Sequence, residues 1–278
     1  MKIRILTALL GIAFFIPIIV FSHTILLPLV AGAFSAMAVF ELFRCLGTGK
    51  KYFYLVLSLV FSFAMPLSVS FLFESVASYI GVIAMASCAF VTLMFAALVF
   101  GMGKMRFSTV AQMVLGVLYI TLGFTSLVML RQLANGFYLF LMPFVVAWMT
   151  DTMAYFSGML LGKHKLCPAI SPKKTIEGAV GGLVLGTGLC LLIAFILDKL
   201  DLLSPNYLFL GIACLVLSFL SQLGDLFASL IKREYSVKDF GNLLPGHGGV
   251  LDRFDSVVFL SPIVVLIAGM ASFPTFFF

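Results

Sequence analysis

Runs of about 20 consecutive apolar residues recur from one end of the chain to the other, broken by short charged loops. Coiled as helices at about 1.5 Å per residue, such runs match the hydrocarbon thickness of a bilayer. They are continuous rather than alternating in polarity, which argues against a β-barrel. Composition closes the soluble alternative: the chain is 63% hydrophobic and only 10% charged, with mean hydropathy +1.21. That is more apolar surface than the core of a 278-residue soluble protein could hide. The expected fold class is therefore all-α, a polytopic helical integral membrane protein. Nine spans are expected, near Ile5–Phe21, Ile25–Phe43, Tyr52–Phe73, Ala77–Phe100, Thr109–Leu130, Phe137–Leu161, Ile176–Leu197, Tyr207–Ile231 and Val250–Ser272. Lys2 and Arg4 ahead of the first run also fit the start of a cleaved signal peptide, but the run is long for one and many spans follow it.

Loop charges orient these spans. With nine spans, fourteen of the 17 Lys and Arg residues fall on the side of the N-terminus, from Lys2 through Arg44, Lys50, Lys104 and Lys163 to Lys238. Arg131 and Lys199 fall on the other side, and Arg253 lies in the start of the last span. The positive-inside rule then places the N-terminus in the cytoplasm and the C-terminus outside. The net charge of +6 belongs to the cytoplasmic face, where it sets topology and attracts anionic lipid. No soluble domain is present to use it on nucleic acid. Cys45, Cys88, Cys167, Cys190 and Cys214 show neither metal spacing nor a disulfide framework and read as small apolar residues.

A single polytopic domain, 1–278, is expected, with two unlike halves. Residues 1–130 have short loops, little polarity within spans and no evident site. Residues 131–278 hold nearly all the charged groups that fall inside spans. Asp151, Asp225, Asp252 and Asp255 are the clearest of these. Each costs about 2.5–3.5 kcal/mol near the centre of an isolated span, so they should meet cations or water. The topology puts all four toward the cytoplasm, where they could line one water-filled cavity. Asp252 and Asp255 are three apart on one helix, and Ser218, Ser221, Asp225, Ser229 and Lys232 form a polar stripe at helical spacing. Trp148, Asp151, Tyr155, Gly158 and Gly162 form another. A structural ion pair would explain a lone Asp. Three carboxylates with few cations in the spans point instead to a hard divalent ion, Mg²⁺ above all. Proton relay in a transporter is the rival reading.

Two polar loops suit phosphate. In Gly162–Gly178, Ser171 followed by Pro172 reads as an N-cap and first helical residue, with Lys173 and Lys174 beside the free N–H groups of the helix start. Gly178, Gly182 and Gly186 follow at four-residue spacing, as close helix packing requires. The stretch from Lys232 to Gly249 is long and polar, with Lys232, Arg233 and Lys238 as cations, Arg253 just beyond it, and Gly246, Gly248 and Gly249 where backbone could approach a ligand. His247 could serve as a phosphate donor, a general base or a turn residue. The Walker pattern is absent. Carboxylates for Mg²⁺, cations for phosphates and a membrane setting together suggest phosphoryl or nucleotidyl transfer to a lipid.

The segment Ser229–Asp255 reads Ser-x-x-Lys-Arg-x4-Lys-Asp-x-Gly-x3-Leu-Pro-Gly-His-Gly-Gly-x2-Asp-Arg-x-Asp and resembles the signature of the phosphatidate cytidylyltransferases. Asp151-Thr-x-Ala-Tyr-x-x-Gly158, Ser171-Pro-Lys-Lys-Thr-x-Glu-Gly178 and Gly224-Asp225 are similar to further blocks of that family. The likeness covers about 148–256; the first half matches mainly in hydropathy. It implies that CTP and phosphatidic acid give CDP-diacylglycerol and pyrophosphate with Mg²⁺, a second metal ion being left open. Asp225, Asp252 and Asp255 would be the metal ligands. Lys232, Arg233, Lys238, Arg253, Gly248 and Gly249 would hold triphosphate or lipid phosphate, with Asp151, Ser171, Lys173, Lys174 and Thr175 adding to the substrate-binding surface. Asp239 would ligate metal or orient Lys238. The attacking phosphate is already ionised, so His247 has little need to act as a base. The resemblance places the enzyme in the bacterial cytoplasmic membrane with its site toward the cytoplasm, and the site-free N-terminal spans suggest a homodimer. The competing readings are a CTP-dependent polyprenol or phytol kinase and an ion or organophosphate transporter.

Overall fold

A computed structural model describes residues 11, 13, 15–101, 105–242 and 248–269. Eight long helices and one short hairpin make up nearly all of it: α1 (Leu26–Cys45), α2 (Tyr52–Leu72), α3 (Val76–Phe100), α4 (Phe107–Gln132), α5 (Gly136–Leu161), β1 (Lys165–Cys167), β2 (Ser171–Thr175), α6 (Ile176–Lys199), α7 (Tyr207–Glu234) and α8 (Leu251–Gly269). The helices α1 to α7, of 20 to 28 residues, are long and apolar enough to cross a membrane. Helix α8 has 19 residues and carries Asp252, Arg253 and Asp255 in its first five. These eight follow the expected spans to within three residues at nearly every end, because an apolar run of this length has only the helix as a way to satisfy its own backbone in lipid. Of the first expected span, Ile5–Phe21, the described residues 11, 13 and 15–20 are helical.

The described residues fall into two compact units, one from Met1–Gln132 and Tyr235–Phe254, the other from Leu133–Glu234 and Asp255–Phe278. In the first, α4 is the central helix, with every residue from Gly123 to Leu130 buried. A helix apolar on all sides and enclosed on all sides is the core of its bundle. By contrast α3 buries only Val76, Tyr79, Phe90 and Met94 and turns Met85, Val99 and Phe100 outward, as a lipid-facing helix does. Gly32 lets α1 lie against α2: a Cβ there would stand 2.7 Å from the Phe63 carbonyl oxygen. The start of α8 is anchored in this unit by Phe254, whose ring packs 5.3–5.9 Å from those of Phe15, Phe34 and Phe124.

In the second unit α5 and α6 are pressed together along a seam of small residues. A Cβ on Gly178 would meet the Ala154 carbonyl at 2.8 Å, one on Gly182 the Ala154 methyl at 2.8 Å, and one on Gly186 the Thr150 Cα at 3.0 Å. The four-residue glycine spacing is thus a packing device, as expected. Helix α7 joins the seam through hydroxyls and an amide. Thr150 Oγ1 donates to Ser218 Oγ at 2.9 Å, and Gln222 Nε2 donates to the Ala179 carbonyl at 3.1 Å. Ser256 Oγ of α8 donates to the Ser221 carbonyl at 3.1 Å. Part of the polar stripe on α7 therefore serves helix association in a medium where unpaired polar groups are costly. None of the five cysteines, all of them described, is in a disulfide.

One local expectation fails. Ser171 and Pro172 do not start a helix; they lie in β2, which pairs antiparallel with β1. The N-cap is Thr175, four residues on, whose Oγ1 accepts the Gly178 N–H at 3.1 Å. The strand wins because Glu177 reaches back from the first turn of α6 and accepts N–H groups of Lys163 and His164 at 3.1–3.2 Å while pairing with His164 Nδ1 at 2.6 Å. That closure ties the chain before β1 to the helix after β2, and the segment between has to return as a hairpin.

Candidate active site

Within the second unit three helices and the hairpin bring ionised groups to one place. The spacing from Gly158 to Asp151 is about two turns of α5, so Asp151 stands two turns inward from the Gly158 contact with Gly178. Asp225 lies on α7 one residue beyond Gly224, where a Cβ would touch Phe259 at 2.8 Å; the close approach of α7 and α8 there sets its position. Lys174, from β2, forms an ion pair with Asp225. Asp151 feels the charges of Asp225 and Lys174, and Asp255 on α8 feels those of Asp225, Lys232 and Asp151. Lys232 is buried in the last turn of α7.

A cavity of about 390 Å³ opens beside this cluster, lined by Asp151, Tyr155, Lys173, Lys174, Thr175, Gln222 and Asp225 among others. Three carboxylates, Asp151, Asp225 and Asp255, thus face two ammonium groups, Lys174 and Lys232, among the groups that interact here. The excess of negative charge suits a divalent cation. Among the described residues no three His, Cys, Asp or Glu side chains converge to cage an ion by themselves. Mg²⁺ does not require that: it is ordinarily held by one or two carboxylates, with water and substrate phosphates completing six oxygens. The oxygen-only donor set fits it, and Asp225 and Asp255 are the residues that could hold it.

The remaining expected site residues divide. Lys173 is exposed at the cavity wall, and Thr175 lines the cavity while its hydroxyl caps α6. Ser171 is half-buried in β2. The Nε of Arg233 donates to the Ile170 carbonyl at 3.3 Å, fixing the hairpin turn to the end of α7. Lys238 and Asp239 are exposed in the bend after α7, and Arg253 is exposed in the first turn of α8. His247 and Gly246 lie outside the described residues.

In the first unit the signature loop returns to the start of α8 through two carboxyl groups. Asp252 Oδ2 accepts the N–H groups of Phe240 at 2.8 Å and Gly249 at 3.0 Å. Gly248 has φ +86°, a conformation only glycine adopts without strain. The second carboxyl group is Glu41 of α1, which accepts the Val250 and Leu251 N–H groups at 2.9 Å each. Sequence reasoning passed over Glu41 while flagging the four aspartates. The signal was the same one: a lone acidic residue inside the apolar run Ile25–Phe43.

Comparison with known proteins agrees with this picture. The family described as Cytidylyltransferase family matches residues 2–271. A phosphatidate cytidylyltransferase of Staphylococcus haemolyticus is 36% identical over 267 residues, covering 95% of this chain and 97% of the relative. Proteins of the same name from Staphylococcus epidermidis and Staphylococcus aureus are each 35% identical, again over 95% of this chain and 97% of their own length.

Proposed function

The chain belongs to the cytidylyltransferase family, and on that premise we propose that it transfers the cytidylyl group of CTP to phosphatidic acid. A phosphate oxygen of the lipid attacks the α-phosphorus of CTP, the bond from that phosphorus to the bridging oxygen breaks, and pyrophosphate leaves. The product is CDP-diacylglycerol. The observation that carries the reading is near end-to-end similarity to phosphatidate cytidylyltransferases, whose named activity calls for a membrane chain with a polyanion site.

The residues divide the work in a way the chemistry requires. Asp225 and Asp255 would hold Mg²⁺, which when bound polarises phosphate oxygens and draws the two anions together. Lys174 and Lys232 offset charge on the phosphates; Lys174 already pairs with Asp225, so it is positioned before substrate arrives. Lys173 draws anions to the cavity. Asp151 adds negative charge that orients Lys174. The resemblance implies that Lys238, Arg253, Gly248 and Gly249 hold triphosphate or lipid phosphate, while Asp252 holds its loop through the N–H groups of Phe240 and Gly249. The lipid phosphate is ionised before attack, so no general base is needed. CTP is a cytoplasmic solute and the acceptor a membrane lipid, which accords with a site at the cytoplasmic face of the inner membrane.

Purified protein supplied with Mg²⁺, phosphatidic acid and CTP labelled at either phosphate end tests this. Label from the α-phosphate should enter lipid, and label from the γ-phosphate should leave as pyrophosphate. γ-Label appearing in a polyprenol instead would mean a kinase, and CTP left intact in every mixture would remove nucleotidyl transfer altogether.

A further inference from the structure

Glu41 is the one acidic residue in α1, 5% exposed and flanked by Phe40 and Leu42. Its two carboxyl oxygens take one backbone N–H each, Oε1 from Val250 and Oε2 from Leu251, both at 2.9 Å. Those N–H groups belong to Leu251, the first residue of α8, and to Val250 just before it, at a helix start whose first donors have no partner within the helix. Two glycines close on the same carboxyl group. A Cβ on Gly241 or on Gly249 would overlap it, so both limbs of the signature loop are threaded against Glu41. Asp252, one residue after Leu251, ties the same limbs together through the N–H groups of Phe240 and Gly249. The mechanism makes no use of Glu41, yet it holds the Val250 and Leu251 N–H groups and has the Gly241 and Gly249 backbone packed on it.

We propose that Glu41 is a positioning residue for nucleotide binding: it sets the Gly248–Gly249 backbone and the first turn of α8 in the conformation that receives the triphosphate of CTP. The proposal rests on the cytidylyl-transfer reading. A carboxyl group is needed because both facing groups are donors. Gln at this position keeps one acceptor and turns an NH₂ donor against the second N–H. Asp keeps both acceptors but withdraws them by one methylene. A glycine-rich loop has little of its own to resist the change, since glycine loses the most freedom on ordering. A loop displaced by about 1 Å can lose about 100-fold in rate, so the consequence should be visible in ligand handling rather than in folding.

The experiment compares wild type, Glu41→Gln and Glu41→Asp as full-length protein in nanodiscs. It measures equilibrium CTP binding without phosphatidic acid, KM for CTP and for phosphatidic acid, and the thermal midpoint. Glu41→Gln is expected to weaken CTP binding and raise KM for CTP by about tenfold or more, the range typical of lost outer-shell partners. KM for phosphatidic acid and the thermal midpoint should change little, and Glu41→Asp should recover part of the CTP affinity. Should Glu41→Gln fail to fold, the Asp variant carries the same comparison. Wild-type affinity for CTP in a folded variant would overturn the inference while leaving the function standing, as would equal weakening toward both substrates with a lowered midpoint. A wild-type protein that binds no CTP would overturn the function and this inference with it.

Discussion

At the scale of single residues the site is defined by which charges face each other. Asp225 stands at the centre: it pairs with Lys174 and acts electrostatically on both Asp151 and Asp255. Asp225→Asn removes a charge and leaves the shape, so the helices should still pack while the anchor proposed for the metal ion is lost. Turnover should fall by more than about 100-fold, beyond what loss of an outer-shell partner costs, and the Mg²⁺ concentration giving half-maximal activity should rise. Near-normal turnover at ordinary Mg²⁺ would remove the metal assignment. Lys173 is the contrasting case, exposed at the wall of the cavity. Exposed charge interactions rarely exceed about 1 kcal/mol, so Lys173→Ala should change apparent substrate affinity by no more than about fivefold. A larger loss, confined to kcat, would place Lys173 on the reacting groups.

Among the elements, the pairing of α5 with α6 decides how well the site is built, because Asp151 rides on one helix and the hairpin carrying Lys174 leads into the other. Glycines of α6 have opposite surroundings, and the sign of a substitution should follow. Gly188 has open space where a Cβ would go, so Gly188→Ala should stabilise by up to about 1 kcal/mol through helix propensity. Gly182 has the Ala154 methyl at 2.8 Å and the Thr150 carbonyl at 2.9 Å in the same place. Overpacking there costs about 1–3 kcal/mol and outweighs the propensity gain, so Gly182→Ala should lower the thermal midpoint. Thermal unfolding of the two variants in one detergent checks the contrast; shifts of the same sign would mean that the seam is not close-packed.

Across the whole molecule, charge asymmetry and helix length set the relation to the bilayer. The hairpin side of α6 holds Lys163, Lys165, Lys173 and Lys174, while the far end of α6 carries Asp198 and Lys199 and leads into the loop with Asp201. The positive-inside rule predicts that the first end faces the cytoplasm. Cysteine introduced at Lys165 should react with a membrane-impermeant thiol reagent only in permeabilised cells or inverted vesicles, and cysteine at Asp201 should react in intact cells. The reverse pattern would invert the topology and put the cavity on the side away from cytoplasmic nucleotide, against the proposed function.

The sequence alone determined the class of fold, nearly every helix end and the family. Each depends on local information: a 20-residue apolar run in lipid has one way to satisfy its backbone, and the segment from Ser229 to Asp255 is contiguous. It also marked the aspartates, because an ionised group in a span is conspicuous wherever it points. Tertiary structure decided what each of them touches. Periodicity gave no reason to expect a hairpin at Ser171–Thr175, since the Glu177 contacts that close it span 13 and 14 residues. Nor could it connect Glu41 with Val250 and Leu251 across 209 and 210 positions. Hydrogen bonds between distant segments follow from packing, which brings chain segments together by shape and burial, and no spacing rule along the chain carries that information.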